Sequence, residues 1–230
     1  QRAKRYDVIH MNQYMIYCCA GTGGLFLTTV FAQVLGYNVQ GYFSNTGNSH
    51  DMGKGPWKGS ENVCCIGCHW DINYLPGYQL YYSHTLPHNF AKTHANIELI
   101  SITTDPRDYT KVTELYVTKA WPDLWTPEEY AKWASPSYPH YSRNNIADSE
   151  LIRNDLIRDL EITNIKKWHD ANTPVPSLAQ INFRTIMGLD NQNLVDIVCN
   201  ITNGTASEYT RQYVYKYQQL NHSLYFKNYV

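Results

Sequence analysis

Charge is what this chain has least of. Only 17% of its 230 residues are Asp, Glu, Lys or Arg, and 19 basic against 20 acidic side chains leave a net charge of −1. No global field therefore draws the protein to nucleic acid or to an acidic membrane surface, and any electrostatic work must be local. An unbroken apolar run is missing too. The stretch from Val8 to His50 carries no Asp, Glu, Lys or Arg and follows Arg2, Lys4 and Arg5, in the manner of a signal anchor. A membrane helix needs about twenty mostly apolar residues, whereas this stretch is interrupted by Gly21-Thr22-Gly23-Gly24, Thr28, Thr29 and Gln33 and shows no small-residue cleavage site. The expectation is a soluble domain with no membrane partner. Internal repeats and low-complexity tracts are absent, which excludes a solenoid.

With so little charge, polarity comes from Tyr (20 residues), Asn, Ser and Thr. A Tyr-rich surface suits partner contact, in a homo-oligomer or a virion assembly, because Tyr offers area at low entropy cost. An AT-rich genome produces the same bias without function. Six Cys are present, and Cys18, Cys19, Cys64 and Cys65 lie in apolar strand-like runs where a thiol packs as a small hydrophobe. That fits a reducing, cytoplasmic compartment, with a virion as the alternative. Cys65-Ile-Gly-Cys68-His69 matches the C-x-x-C-H pattern of haem attachment. Zinc would need a second ligand pair, haem would need an axial partner and export, and the apolar flanks read as a buried strand. No metal site is expected.

At this length one α/β domain spanning 1–230 is expected. The segment YMIYCCAGTGGLFLTTVFAQVL (14–35) reads as strand, glycine loop and helix. A loop opening a helix turns unbonded N–H groups and the positive end of the helix dipole toward whatever lies in front of it, typically a phosphate or sulfate. Leu25 and Phe26 stand where a Walker loop has Lys and Ser or Thr. An oxyanion cradle and a tight strand-to-helix turn are equally good readings of these glycines.

Further strands are expected at 38–44, 62–70, 78–84 and, most strongly, NIELISITT at 96–104, with a Gly-rich loop at 44–62. Helices are expected at 107–121, 124–133 and 149–168, then at 189–204 with Gly204 as C-cap, and at 205–220 with a Thr205-x-x-Glu208 capping box. The segment 179–188 fits a last strand or a loop. Tyr209, Tyr213 and Tyr217 fall on one helical face, where core packing is the default and a partner surface the second reading. Strands alternating with helices argue for a parallel, helix-covered sheet.

Four landmarks in order resemble the P-loop sulfotransferase superfamily. TGGLFL (22–27) is similar to the S-G-T-T-W-L loop that wraps the 5′-phosphosulfate of the donor 3′-phosphoadenosine 5′-phosphosulfate (PAPS). SHTLP (83–87) is similar to K-T-H-L-P, whose His is that family's catalytic base. ELISITTDPRDYTKVTELYVTKAW (98–121) resembles the strand and R-N-P-K-D-x-x-x-S helix that bind the 3′-phosphate, and INFRTIMGLDNQNLVDIVCNITNG (181–204) resembles the Y-E-D-L turn and its helix.

The resemblance implies a three-layer P-loop sandwich that moves a sulfuryl group from PAPS to a hydroxyl or amine of a small-molecule or glycan acceptor. It assigns donor binding to Gly21, Thr22, Gly23, Gly24, Leu25, Phe26, Thr104 and Arg107, and the base to His84, since a His near neutral pKa can take the acceptor's proton. Departures exist: Gly21 replaces the loop Lys, Thr104 the Arg, and Val112 the Ser, while the His is displaced by one residue. Lys54 or Lys58 in GKGPWKG, or Arg143, are substitutes for the missing cation. The same losses motivate the alternative of a non-catalytic phage or virion protein on a degenerate P-loop scaffold, and a nucleotide kinase stands third.

Overall fold

The computed structural model describes residues 12–18, 21–37, 39, 63–67 (64–67 as backbone), 79–83, 94–112, 114, 115 and 177–229, and the statements below concern these. The expected strand at 38–44, apart from Val39, and the helices at 124–133 and 149–168 lie outside them. So do His84, Lys54, Lys58, Arg143, Cys68 and His69.

Five strands, β1 (Gln13–Tyr17), β2 (Val63–Gly67), β3 (Leu80–Ser83), β4 (Ile97–Thr103) and β5 (Ala179–Asn182), form one sheet in the order β2-β3-β1-β4-β5. Every pairing is parallel, as the alternation of strand and helix predicts. Parallel strands bury both faces, which is why they read as continuous apolar runs. Tyr14, Ile16, Leu80, Tyr82 and Ile100 pack in the main core beneath the first helix, while Met15, Tyr17, Tyr81 and Leu99 on the opposite face are buried as well. Segment 179–188 opens as the expected strand, β5, but its second half is neither strand nor loop: it passes directly into a short helix, α2 (Phe183–Met187), with the Asn182 side chain accepting from the Arg184 N–H at 2.8 Å.

Helix α1 (Gly24–Val34) is apolar nearly all round because it is enclosed nearly all round; only Leu25 and Gln33 escape full burial. It stops at Gly36, whose φ of +79° lets the Tyr37 N–H reach back to the Ala32 carbonyl (2.9 Å). Helix α3 (Leu194–Thr202) packs beside it, and α4 (Glu208–Asn221) packs against both.

Two predicted caps are displaced. The left-handed residue ending α3 is Asn203 (φ +52°) and not Gly204. Gly204 serves another need, since a Cβ there would stand 2.7 Å from Val34 Cγ1 on α1. At α4 the N-cap is Ser207, whose Oγ accepts from the Thr210 N–H (3.1 Å), so the predicted box on Thr205 does not form. Glu208 instead accepts from Gln212 one turn on (3.2 Å). The Tyr stripe divides: Tyr213 and Tyr217 are buried, and Tyr209 is exposed.

Candidate functional site

Because all strands run the same way, their carboxyl ends share one edge of the sheet. Register places Tyr17 opposite both Ser83 and Ser101, and Thr103 opposite Asn182. The loop after β1, the turn after β4 and the start of α2 therefore leave the sheet side by side. From β1 the chain runs outward to β2, and from β4 it runs the other way to β5, so the crevice between β1 and β4 is the topological switch point of the sheet. Sequence reasoning assigned donor binding to the two loops that flank this crevice.

The glycine loop is a tight turn with two left-handed residues, Gly21 and Gly23, each at φ +85°. Thr22 between them is fully buried. The Leu27 N–H is bonded to the Gly23 carbonyl (2.9 Å), which leaves the amides of Gly24, Leu25 and Phe26 with no acceptor inside the helix. No side chain caps this end of α1, and no acid stands in its first turn. The positive end of the helix dipole is thus uncompensated by its own helix.

Side-chain packing accounts for two of the glycines. A Cβ on Gly23 would lie 3.0 Å from Ile186 Cγ2 and 3.2 Å from Met187 Cε, and one on Gly24 would collide with Cys18 Sγ and the Tyr82 ring. Phe26, at the family's aromatic position, stacks on Tyr217 with ring centroids 3.6 Å apart. Thr28 and Thr29 bond back to the carbonyls of Gly24 (2.7 Å) and Leu25 (3.0 Å), so those hydroxyls serve their own helix.

The turn after β4 is built differently. Asp105 accepts from the Arg107 N–H through Oδ1 (3.0 Å) and initiates a 3₁₀ turn, Pro106–Asp108, with Pro in its first position. Arg107 also places Nε 3.4 Å from Asp105 Oδ2 and is largely exposed, the local pairing expected of a helix-start residue. Asp108 is fully buried and its Oδ1 accepts twice, from Arg184 Nη1 (2.9 Å) and from the Tyr229 hydroxyl (2.7 Å). Burial, then the hydrogen bond to Asp108 and its negative charge, push the Tyr229 phenol up to about 12, against the opposing pull of Arg184 and Arg107.

Two buried oxygens on this turn have no partner among the described residues: Thr104 Oγ1 and Asp108 Oδ2. Thr104 is 7% exposed and directly follows β4, at the crevice. A buried hydroxyl without a partner costs about 1–3 kcal/mol, so such an atom calls for a guest.

Arg184 and Tyr229 escaped sequence reasoning. The only local signal for Arg184 is Asn182 two residues before it, an N-cap pattern, and nothing in the terminal FKNYV points to a partner 121 residues away. Among the described residues no group of three or more His, Cys, Asp or Glu is arranged to hold a metal, and no helix is long and apolar enough to cross a membrane. No protein-family model matches the chain, and no curated protein matches it.

Proposed function

We propose that the chain is a P-loop-like, three-layer nucleotide-binding protein of the sulfotransferase type, taking PAPS as donor and a hydroxyl or amine of a small-molecule or glycan as acceptor. The observation that carries this reading is the buried Thr104 hydroxyl, without a partner among the described residues, on the turn after β4, next to the strand that leads into the uncapped N-terminus of α1. In it, the amides of Gly24, Leu25 and Phe26 together with the loop Gly21–Gly24 receive the donor's 5′ end. The turn from Thr104 to Asp108 receives its 3′ end, with Thr104 donating a hydrogen bond and Arg107 at the solvent side.

The bound donor would supply an activated sulfuryl group. The chain would supply position and electrostatics: backbone amides held by the packed α1, and a base, His84, assigned by the resemblance and following directly on Ser83 of β3. Arg184 answers the charge of Asp108, so the carboxylate on this turn does not repel a phosphate with full force.

A specific observation favours a second reading. Gly23 and Gly24 are required by packing whether or not a ligand is bound, which suits a scaffold protein, virion-associated or otherwise, that joins partners through exposed Tyr209 and Tyr215. Calorimetric titration with adenosine 3′,5′-bisphosphate separates the two. Micromolar binding that weakens about tenfold or more in Thr104→Val, the loss of one hydrogen bond to a charged ligand, supports the donor site. Absence of binding at millimolar ligand leaves the scaffold.

A further inference from the structure

The end of the described chain turns back onto the β4 turn. After α4, the π-helical turn His222–Phe226 buries Phe226, edge-on to Phe183 of α2 with centroids 6.2 Å apart. The Tyr229 N–H bonds to the Phe226 carbonyl (3.0 Å), and the two rings meet edge-on at 5.6 Å. Two cations stand beside them: Lys111 Nζ lies 5.7 Å from the Phe226 centroid and 5.9 Å from that of Tyr229, and the Arg184 guanidinium carbon lies 5.8 Å from the Tyr229 centroid; the Arg107 carbonyl lies 3.4 Å from the Tyr229 hydroxyl, which donates to it.

Left to itself, the turn after β4 has little to hold it. Its internal bonds are the Arg107 N–H to Asp105 Oδ1, the Asp108 N–H to the Asp105 carbonyl (2.8 Å) and the Tyr109 N–H to the Pro106 carbonyl, with an exposed ion pair that adds little. The strong contacts come from far along the chain, as charge-assisted bonds to Asp108 from α2 and from Tyr229.

We propose that residues 222–229 form a strap whose catch is the hydrogen bond from Tyr229 to Asp108, and that this strap sets the geometry of the turn carrying Thr104. Closed, it fixes Asp108 and hence the position of Thr104 four residues earlier. Open, it leaves the turn to its own short-range bonds, and local segments of this kind open at lower free energy than the sheet core. The effect on ligand rests on the donor-site reading above, whereas the strap itself rests on the contacts alone.

Hydrogen exchange on the full chain tests it. Tyr229→Phe keeps the ring contacts and removes the catch, and it is expected to speed amide exchange in 104–112 by about tenfold or more, from the loss of a charge-assisted bond, while 12–17 in β1 stay protected. Unchanged exchange in 104–112, or an equal rise in β1, overturns the strap. In a second arm the affinity for adenosine 3′,5′-bisphosphate is expected to fall severalfold in the same variant. Equal affinity in a parent that binds overturns the link between strap and site. A parent that does not bind removes the donor-site reading, and exchange still decides the strap.

Discussion

Two loops leave the same edge of the sheet, and they are held by opposite means. The glycine loop after β1 is fixed by shape: left-handed residues at Gly21 and Gly23, no room for a Cβ at Gly24, and apolar neighbours in Ile186, Met187 and the Phe26–Tyr217 stack. The turn after β4 is fixed by charge, through a buried carboxylate held between an Arg and a Tyr from distant elements. Close packing is short-ranged and asks nothing of a polar partner, so on this loop only the backbone amides that open α1 are left over. A buried polar network makes demands of its own, and on this turn Thr104 Oγ1 and Asp108 Oδ2 have no partner among the described residues. The glycine loop therefore marks the fold, and the β4 turn marks where chemistry would be sought.

Substitutions in the two loops should differ in kind as well as size. The largest effect belongs to the charged side: Arg184→Met strands the fully buried Asp108 carboxylate with only Tyr229, and breaking a buried pair by removing one partner costs about 3–5 kcal/mol. Urea unfolding checks this, and a loss below about 1 kcal/mol would mean that the carboxylate reaches water or another donor. On the packed side, Gly24→Ala forces a methyl into Cys18 and Tyr82, an overpacking that costs about 1–3 kcal/mol. Urea midpoints report it, and a companion Cys18→Ala should recover part of the loss if shape is the cause. A neutral Gly24→Ala would erase the contrast between the loops.

The smallest effect is one of pH. The Tyr229 phenol is raised in the folded chain from the ordinary 10 to about 12, so the folded state holds this proton more tightly than the unfolded state. Its contribution is complete below pH 10 and is lost as pH rises from about 10 to about 12, where a phenolate would face Asp108 with Arg184, Arg107 and Lys111 beside it. Alkaline unfolding of the parent should therefore steepen in that window, and Tyr229→Phe should flatten it. An identical alkaline profile in both proteins would place the charge sensitivity elsewhere, with Tyr37 the first candidate, since burial and the neighbouring Tyr14 raise its phenol to about 12 as well.

Much of the strand pattern was legible because strand faces are written locally. The runs at 62–70, 78–84 and 96–104 contain β2, β3 and β4, and the strand-helix alternation that argues for a parallel sheet is seen where β1 leads into α1. Cap positions were less legible. Ser207 won over Thr205 and Asn203 over Gly204, because either residue of each pair satisfies the local rule and contact with α1 settles Gly204. Of the proposed site, the glycine loop and the Thr104–Asp108 turn were visible as motifs. Their nearness was not, since it depends on β4 being placed next to β1.

By itself, then, the sequence determined the segments that carry the described strands and the helices α1, α3 and α4, and where the chain needs glycine to turn. These properties depend on residues within a few positions of one another and on composition. Tertiary structure alone decided that Arg184, 76 residues from Asp108, holds the buried carboxylate. It alone brought Tyr229 across 121 residues to the same oxygen and enclosed the Thr104 hydroxyl with no partner among the described residues. The reason is physical: burial and pairing are properties of the space around a group, and for these residues that space is lined by elements remote in the chain.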